Sequence, residues 1–494
     1  MQLHIKMSAQ IMTVLRKYHL AEGKRTEALS YVWARVVRLE DRILVLVPHN
    51  APVKLFAPDC FARQSGGNVQ LQPDVLNGML VKFAASDYNC LINVHDHWFD
   101  DVTRFSSIDD QDDVIFDHYL RTSFEPMLHQ HSHIGPARKI FNLSLVLAQK
   151  GLDARLTDTR RKSRFLQATI FDVVGEQFER MSIGAAKPGS VTPEMFSRQQ
   201  DFITPAQQSQ LAQMTVALAG CGGLGSILAE SLARVGFGGL VLIDDDVLDT
   251  SNLNRWQSGR PDQVGKSKAK LLAMNLRLMF PALRIKVLAK SLYDPHAETL
   301  IAGSSILVAG LDNDEARYFL NRVSLQYGIP YFDAGVAITA SVNNFDMQTR
   351  YFSIIPGATA CLDCSQIELY NRASTIDAFI DAPTARARRN AGYVIDIPQA
   401  NTPSVYAINQ RAASLLVTEL LNYICEWRPL ATSITESWRH GTFERLSRDI
   451  FPEKPNPDCA ICSYYAGAGS SEPLPRPLPY RKQASSITEE NHHG

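Results

Sequence analysis

Apolar and polar residues follow two different patterns along the chain, and the first pattern occupies residues 1–183. The runs EALSYVWARVVRL, RILVLVP, CLINVH, KIFNLSLVLA and FLQATIFDVV are rich in β-branched residues, which is typical of strands. Residues 1–19 carry Ile5, Ile11 and Leu15 on roughly one face, which predicts a helix. PDVLNGMLVKFAAS and residues 108–130 also have a helical pattern. Residues 1–183 are therefore predicted to form a mixed α/β domain.

The second pattern begins near residue 195. The short apolar runs TVALAG, LVLID, SSILVAG and IPYFDAG are separated by helical stretches. This alternation predicts a parallel, doubly wound sheet over residues 195–465. The polar stretch at 184–194 is predicted to be a linker. Residues 466–494 are rich in Pro and Ser and are predicted to be a disordered tail.

The composition of the chain favours a soluble globular protein with more than one domain. A chain of 494 residues is too long for one ordinary core, and 45% hydrophobic with 20% charged residues is typical of soluble globular proteins. A net charge of -1 gives no electrostatic reason to expect nucleic-acid or membrane-surface partners. No run of ~18 apolar residues predicts a membrane span, and the N-terminus lacks a signal-peptide pattern. A cytoplasmic location is expected.

A glycine-rich loop lies between an apolar strand and a helix in VALAGCGGLGSILAESLARVG. Backbone N–H groups of such a loop, and the positive end of the helix dipole, bind phosphate. The loop contains four glycines: Gly220, Gly222, Gly223 and Gly225. Asp244 ends the next strand and could hold a ribose.

Polar residues further along favour nucleotidyl transfer over hydride transfer. Asn252 and Arg255 are followed by Lys268, and cations of this kind stabilise charge that builds on phosphate oxygens. Asp312 ends another predicted strand and could hold Mg²⁺.

These motifs resemble the ThiF/MoeB/ubiquitin-activating family of adenylyltransferases. SRQ, GCGGLG, the LID strand end, SNLNR, GKSKA and GLDN-x-x-AR occur in family order within residues 195–465. The resemblance implies MgATP-dependent adenylation of the C-terminal glycine of a ubiquitin-like protein. It implies that Asp244 contacts ribose, that Asn252, Arg255 and Lys268 lie at the nucleotide, and that Asp312 is linked to magnesium. Arg198 matches an arginine that family dimers insert into the neighbouring nucleotide site, which implies a homodimer. Trp256 stands where the family has glutamine.

Two Cys-x-x-Cys pairs indicate a structural metal site. Four thiolates suit a closed tetrahedral zinc site that would tie the C-terminal segment onto the adenylation domain. The four cysteines are Cys361, Cys364, Cys459 and Cys462. The segment where ubiquitin-activating enzymes usually carry a thioester cysteine contains none here. We therefore expect the adenylate to pass directly to a separate acceptor, a conjugating-type protein.

A second candidate metal site lies in NVHDHWFDDVTRFSSIDDQDD. His95 and His97, two apart at a strand end, point to the same side, and Asp109 could supply a third ligand. Ser106 could donate a hydrogen bond to an oxyanion. Hydrolysis also needs a general base, for which Glu27 is the candidate.

This arrangement resembles the JAMM (JAB/MPN) metalloprotease family, with its Glu, His-x-His and Ser-x-x-Asp pattern. The resemblance implies that Glu27 is the general base, that His95, His97 and Asp109 bind zinc, and that Ser106 is the oxyanion donor. Two departures stand out: the gap after His97 is one residue longer than usual, and Trp98 replaces a common proline. Neither Ser106/Asp109 nor the alternative register Ser107/Asp110 restores the gap. A rival cluster, His129-x-His131-x-His133, has no Ser-x-x-Asp after it and favours a solvated turn.

Together the two resemblances imply a bifunctional enzyme of a bacterial ubiquitin-like conjugation pathway, with antiviral defence as one setting. One domain would trim or remove the ubiquitin-like protein, and the other would adenylate it with ATP, Mg²⁺ and structural Zn²⁺. Two alternatives stay open. The chain could activate a sulfur carrier for thiamin or molybdopterin synthesis, or residues 1–183 could be a non-catalytic docking module.

Overall fold

The N-terminal half is built mainly from strands. The computed structural model describes residues 1–23, 26–65, 69–97, 103–130, 138–181, 183, 193–341, 344–365, 403–439, 442–449, 454–469 and 474. The elements of the N-terminal half are β1 (Gln2–Ser8), α1 (Ala9–His19), β2 (Leu29–Arg38), β3 (Arg42–Val47), β4 (Val53–Leu55), β5 (Phe61–Gln64), β6 (Val69–Leu71), α2 (Pro73–Ala84), β7 (Cys90–Asp96), α3 (Ser107–Tyr119), α4 (Glu125–Gln130), β8 (Phe141–Ala148), β9 (Gly151–Thr157), β10 (Phe165–Val174) and β11 (Phe178–Met181). A π-helical turn, Leu120–Phe124, joins α3 to α4.

The main N-terminal sheet closes on itself. Its strands follow the order β1-β3-β2-β7-β8-β9-β10-β11, β4 pairs with β2, and β10 also pairs with β1. Closure removes the free edges that β1 and β10 would otherwise expose. One apolar core fills the sheet, with Ile5, Val45 and Phe171 among its fully buried members. A second apolar cluster packs α2 and the helical segment 107–130 against the sheet, through Phe83, Leu91 and Leu120 among others.

The prediction of a helix over residues 1–19 is wrong for its first part. Residues Gln2–Ser8 form β1, which pairs in parallel with both β3 and β10. Because β1 has a neighbour on each side and is buried almost throughout, its side chains do not alternate between apolar and polar. The buried polar residues His4 and Lys6 hide the strand pattern further. The helix begins only at Ala9, where the Ser8 side chain accepts a hydrogen bond from Gln10 N–H.

The C-terminal half contains the predicted doubly wound sheet. Its elements are α5 (Pro205–Gln213), β12 (Thr215–Ala219), α6 (Gly223–Val235), β13 (Gly239–Ile243), α7 (Lys268–Met279), β14 (Arg284–Leu288), α8 (Pro295–Ala302), β15 (Ile306–Ala309), α9 (Asp314–Tyr327), β16 (Tyr331–Ser341), β17 (Asn344–Ile354), α10 (Tyr406–Cys425), β18 (Ser433–Arg439), β19 (Thr442–Asp449) and α11 (Ala460–Tyr464). Strands β14-β13-β12-β15-β16 are parallel, and β17-β18-β19 continue the sheet antiparallel. The loops after β12, β13 and β15 therefore meet at one edge, where ligands bind in such sheets.

The two halves are packed against each other through buried contacts. The Lys6 ammonium donates to the carbonyls of Ala302 (3.1 Å) and Ser304 (2.9 Å), across the boundary between the halves. Arg180 donates to Ser305 Oγ at 2.9 Å. One apolar cluster contains Val37 and side chains of the C-terminal sheet. The halves therefore share a common core where they meet.

The first residues of the predicted disordered tail are ordered. Residues 465–469 lie buried between the N-terminal sheet and α9, and we call this segment the strap. Gly467 N–H donates to Leu325 O at 3.0 Å, and a Cβ added at Gly469 would lie 2.4 Å from Val37. Small residues fit here because the N-terminal sheet and α9 approach each other closely. The remaining tail positions, except Leu474, lie outside the described residues.

Other predicted segments fall partly outside the described residues. These are most of the 184–194 linker, Trp98 of the histidine stretch, and His131 and His133 of the rival cluster. Among the residues that are described, no helix is long and apolar enough to span a membrane.

Candidate nucleotide and metal sites

The glycine loop joins β12 to α6 in a conformation that side chains would block. Gly220 has φ +86°, and a Cβ on Gly225 would lie 1.9 Å from Gly220 O. Gly222 is the N-cap of α6, and Gly223 opens the helix. A Cβ on Gly223 would lie 3.0 Å from Arg255 Cγ. The loop thus brings backbone N–H groups and a helix N-terminus to the ligand-binding edge of the sheet.

Asp244 lies directly beside this loop. It follows β13, and its carboxylate accepts hydrogen bonds from Cys221 N–H at 2.6 Å and Asp246 N–H at 2.8 Å. Burial raises the pKa of Asp244, although the two backbone donors oppose that shift. The Asp244 side chain, for which a ribose contact is predicted, is therefore fixed beside the glycine loop.

Lys268 and Arg255 approach the same edge with different partners. Lys268 begins α7, and its ammonium pairs with Asp246 at 3.0 Å. The Arg255 guanidinium donates to Ser251 O at 2.6 Å and to Asn254 Oδ1 at 3.1 Å. Asp246, two residues after Asp244, was missed in the sequence, although its place beyond the strand end could have indicated it.

The other predicted nucleotide residues occupy loop positions. Asn252 accepts a hydrogen bond from Asp249 N–H at 3.2 Å, so here its amide oxygen caps a 3₁₀ turn. Asp312 lies exposed between β15 and α9. Arg198 lies exposed in the 3₁₀ turn Glu194–Gln199 and forms no ion pair with the described part of the chain.

Trp256, the departure from the family pattern, supports the glycine loop. Its side chain is 3% exposed, and the indole N–H donates to Cys221 O at 2.7 Å. A buried Trp N–H needs such a partner. Trp256 therefore makes a polar contact to the loop and packs into the apolar core beneath it.

The four predicted cysteines form one cluster. Cys361 Sγ lies 3.8 Å from Cys364 Sγ and 3.8 Å from Cys459 Sγ, and Cys364 Sγ lies 3.6 Å from Cys462 Sγ. Zn–S bonds of ~2.3 Å in a tetrahedron place sulfurs about 3.8 Å apart. The donor set and its spacing therefore fit a zinc ion, and the distances exclude disulfides.

The histidine stretch also forms a cluster. His95 and His97 lie at the end of β7, and Asp109 lies in the first turn of α3; their ligand atoms are within 4.8 Å of one another. Asp109 oxygens lie 3.1 Å from His95 Nε2 and 3.9 Å from His97 Nε2. Burial alone would raise the pKa of Asp109, but the hydrogen bond and charge of His95 outweigh it and lower the pKa. Three donors converging in this way fit a metal with an open position.

The structure distinguishes the two registers of the SSIDD run. Ser106 is the N-cap of α3: its Oγ accepts from Asp109 N–H at 3.3 Å, and its N–H donates to Asp109 Oδ2 at 2.5 Å. Asp110 instead pairs with Arg155. Asp109 is therefore the aspartate that faces the histidines, and the exposed Ser106 hydroxyl keeps its proton available for donation.

Glu27 lies on the segment that precedes β2. It is 6% exposed, and its charge raises the pKa of His95, after the larger effect of Asp109, against the lowering effect of burial. It is not one of the three clustered ligands. A carboxylate near the ligands but outside their cluster suits a general base rather than a ligand.

The parallel sheet, its glycine loop and the two cations at its carboxyl edge define a Rossmann-like nucleotide-binding domain. Residues 196–461 match the ThiF family, and this is more than half of the chain. The chain therefore belongs to the ThiF family and carries a ThiF-type adenylyltransferase domain. This confirms the family resemblance of the C-terminal half; the JAB/MPN resemblance of residues 1–183 stays a prediction.

Curated relatives have activating or adenylyltransferase names. The chain is 24% identical to ubiquitin-like modifier-activating enzyme 5 of Drosophila willistoni over 361 residues, which is 71% of this chain and 80% of that protein. It is 36% identical to the SAMP-activating enzyme E1 of Haloferax volcanii over 26% of this chain and 48% of that protein. It is 32% identical to the sulfur carrier protein ThiS adenylyltransferase of Bacillus subtilis over 34% of this chain and 49% of that protein. The last two alignments span about half of those relatives.

Solved structures of MccB from E. coli also align with the chain. The crystal structure of MccB with ATP is 20% identical, covers 56% of this chain and 76% of MccB, and has a TM-score of 0.42.

Proposed function

We propose that the chain adenylates the C-terminal glycine of a ubiquitin-like protein with MgATP, and that residues 1–183 hydrolyse a bond at the tail of the same protein. Membership of the ThiF family carries the first half of this proposal. The second half rests on the convergence of His95, His97 and Asp109.

In the adenylation step, a carboxylate oxygen of the terminal glycine attacks the α-phosphorus of ATP. A bond forms between that oxygen and phosphorus, the bond to the β-phosphate oxygen breaks, and pyrophosphate leaves. Lys268 would exchange its partner Asp246 for phosphate oxygens, and Arg255 would stabilise the charge that develops on them. Asp244 would bind ribose, and Asp312 would hold the magnesium ion with ATP.

Pyrophosphate–ATP exchange that depends on a ubiquitin-like protein ending in glycine tests this half. Lys268→Ala should reduce exchange by ~100-fold or more, because one transition-state donor often contributes that much. Lys270→Ala is the matched control, since Lys270 is exposed two residues along the same helix. No exchange with any candidate carrier, or equal effects of the two substitutions, would contradict the proposal.

In the hydrolytic step, Glu27 takes a proton from the attacking water and returns it to the leaving amine. The oxygen of this water bonds to the carbonyl carbon, and Ser106 donates a hydrogen bond to the carbonyl oxygen as it becomes an oxyanion. The bond between the carbonyl carbon and the leaving nitrogen then breaks. A zinc ion held by His95, His97 and Asp109 would supply the Lewis acidity that activates water at neutral pH.

Metal content separates this proposal from a docking module. A content of two zinc ions per chain would support a hydrolytic site in addition to the four-cysteine site. A content of one zinc ion per chain would support a non-catalytic N-terminal half. Asp109→Asn should then lower the zinc content from two to one while leaving pyrophosphate exchange unchanged.

Three of the four cysteines outside the cluster are buried, which favours transfer of the adenylate to a separate protein. The fourth, Cys60, is partly exposed but lies in the N-terminal half, away from the adenylation domain. Burial raises the pKa of the thiols of Cys90 and Cys221, and it raises that of Cys425 to about 11. Such thiols are weak nucleophiles at neutral pH. Residues 366–402 contain no cysteine. We propose a conjugating-type acceptor protein; a stable conjugate, sensitive to reducing agents and trapped on this chain alone, would refute the idea.

Sulfur-carrier activation is the second candidate, favoured by the similarity to the ThiS adenylyltransferase of Bacillus subtilis. The carrier that supports exchange decides between the two pathways.

For either carrier we propose a homodimer in which the exposed Arg198 reaches the partner's nucleotide site. Arg198→Ala would lower pyrophosphate–ATP exchange without changing ATP-independent cleavage.

A further inference from the structure

A buried polar network lies on the opposite face of the strand that presents the two histidines. Side chains alternate along β7, so Asp96 points away from His95 and His97. Asp96 Oδ2 accepts from Ala28 N–H at 3.0 Å and lies 2.8 Å from His19 Nδ1. Asp96 is fully buried, so its charge needs these partners.

The network continues through the histidine to a serine. His19 Nε2 lies 2.7 Å from Ser30 Oγ, and all three side chains are 0% exposed. The order Ser–His–Asp is that of a nucleophilic triad, but a serine sealed from solvent reaches no substrate. Hydrogen bonds among the three groups join the end of α1 to β2 and β7.

The network also fixes the segment that carries the proposed general base. Pairing between β2 and β7 ends at Leu29 and His95, so the ladder does not reach Glu27. The bond from Ala28 N–H to the Asp96 carboxylate replaces the ladder at this point. Glu27 N–H donates to Ser65 O, and Gln64 Nε2 donates to Glu27 O, both at 3.0 Å. The backbone of Glu27 is thus held on both sides, and Asp96 joins it to the histidine strand.

We propose that Asp96 and His19 are positioning residues that hold the Glu27 segment in register with the metal-binding strand. The inference rests on the proposed hydrolase function. A base displaced by about 1 Å can cost ~100-fold in rate, which makes this coupling important for catalysis.

The proposal is tested with a substrate in which a ubiquitin-like protein carries a C-terminal aminomethylcoumarin amide. Cleavage of this amide by the full-length enzyme is measured. Asp96→Ala removes the acceptor for Ala28 N–H and should lower kcat by ~100-fold, with KM, two zinc ions and pyrophosphate exchange retained. Asp96→Asn keeps an oxygen acceptor and should restore kcat to within about tenfold of the wild type. This rescue identifies a geometric role, because both variants lack the negative charge.

Asp172→Ala is the matched control for loss of a buried His–Asp pair. Asp172 lies 2.8 Å from His4 Nε2 and is 1% exposed, but its pair joins β10 to β1, away from Glu27. Asp172 also accepts from Arg180 at 2.7 Å, so its loss disturbs the fold at least as much as loss of Asp96. This substitution should lower thermal stability without a selective fall in kcat. If it does not fold, the comparison of Asp96→Ala with Asp96→Asn still decides.

The possible results distinguish failure of the positioning role of Asp96 from failure of the proposed hydrolase function. Asp96→Ala with near wild-type kcat overturns the inference alone. Loss of the second zinc ion in Asp96→Ala also overturns the inference. Asp96 would then position the metal ligands rather than the general base Glu27. If the wild type binds two zinc ions and cleaves no ubiquitin-like substrate, the hydrolase proposal fails and the inference fails with it.

Discussion

The two metal-ligand clusters differ in donor number and in the distance between their donors along the chain. The cysteine cluster supplies four donors, and two of them that lie 3.8 Å apart, Cys361 and Cys459, are 98 residues apart along the chain. The histidine cluster supplies three donors from the end of β7 and the start of α3. Four donors fill a tetrahedron, whereas three leave a position for water. One cluster therefore joins distant segments, and the other has the composition of a reaction site.

Removal of a cysteine ligand should have the largest effect on the whole chain. Cys462→Ser should release one zinc ion and lower the free energy of unfolding by ~4 kcal/mol, if free zinc exceeds its Kd about 1,000-fold. For a domain of this size the melting temperature should fall by about 10 °C. The strap begins three residues after Cys462, so its packing should loosen as well. Thermal unfolding with parallel zinc analysis measures both.

Cys60→Ser is the control for this change, because Cys60 is partly exposed and lies outside both clusters. It should leave zinc content and melting temperature near the wild-type values. If Cys462→Ser retains its zinc, the cluster is not a closed four-thiolate zinc site.

Removal of the general base should affect one reaction without loss of metal. Glu27→Gln keeps the side-chain shape but loses the proton acceptor, so cleavage should fall by ~100- to 10,000-fold. Zinc content and pyrophosphate exchange should remain unchanged. Cleavage assays and metal analysis on the same preparation provide the measurement, and persistent cleavage would show that Glu27 is not the base.

The strap connects the cysteine cluster to the N-terminal sheet, and a bulky side chain should disturb that connection. At Gly469 (φ +58°) a valine would place its Cβ about where Val37 already lies, with 2.4 Å between the atoms. Overpacking of this kind should destabilise the chain by ~1–3 kcal/mol beyond the backbone strain.

Gly328→Val isolates the backbone contribution to the Gly469 result. Gly328 has φ +59° and no atom within 4 Å of an added Cβ, so this substitution introduces strain without a clash. Chemical denaturation should show a larger loss for Gly469→Val. Equal losses would mean that the strap is not tightly packed against Val37.

The sequence predicted the C-terminal half well because its signals are local. Four of the five parallel strands are short apolar runs, whereas β14 (RIKVL) carries two cations and is not predicted by that pattern. The glycines, Asp244 and Lys268 fall at element ends where the chain order fixes their neighbours. The strand order and the meeting of the loops after β12, β13 and β15 then follow from the doubly wound pattern.

The failures concern contacts between segments that are distant in sequence. The sequence predicts a helix at β1 because this strand is buried on both faces and therefore lacks the alternation of apolar and polar residues that marks a half-buried strand. The sequence predicts a disordered tail at the strap because AGAG has few core residues, yet these small side chains suit the narrow space beside Val37. His19 and Asp96 are 77 residues apart, and only the fold shows that they meet. The alternation of Asp96 with the two histidines was the one available signal.

The smallest expected effect concerns the register of α3. Asp110 is half-exposed and pairs with Arg155, so Asp110→Asn should cost less than about 1 kcal/mol and should leave both zinc ions in place. Asp109→Asn, one residue earlier, should remove one zinc ion and abolish cleavage. The pair differs only in which aspartate faces His95. If Asp110→Asn releases the metal instead, the second register, Ser107/Asp110, is the active one, and the histidine cluster must rearrange when metal binds.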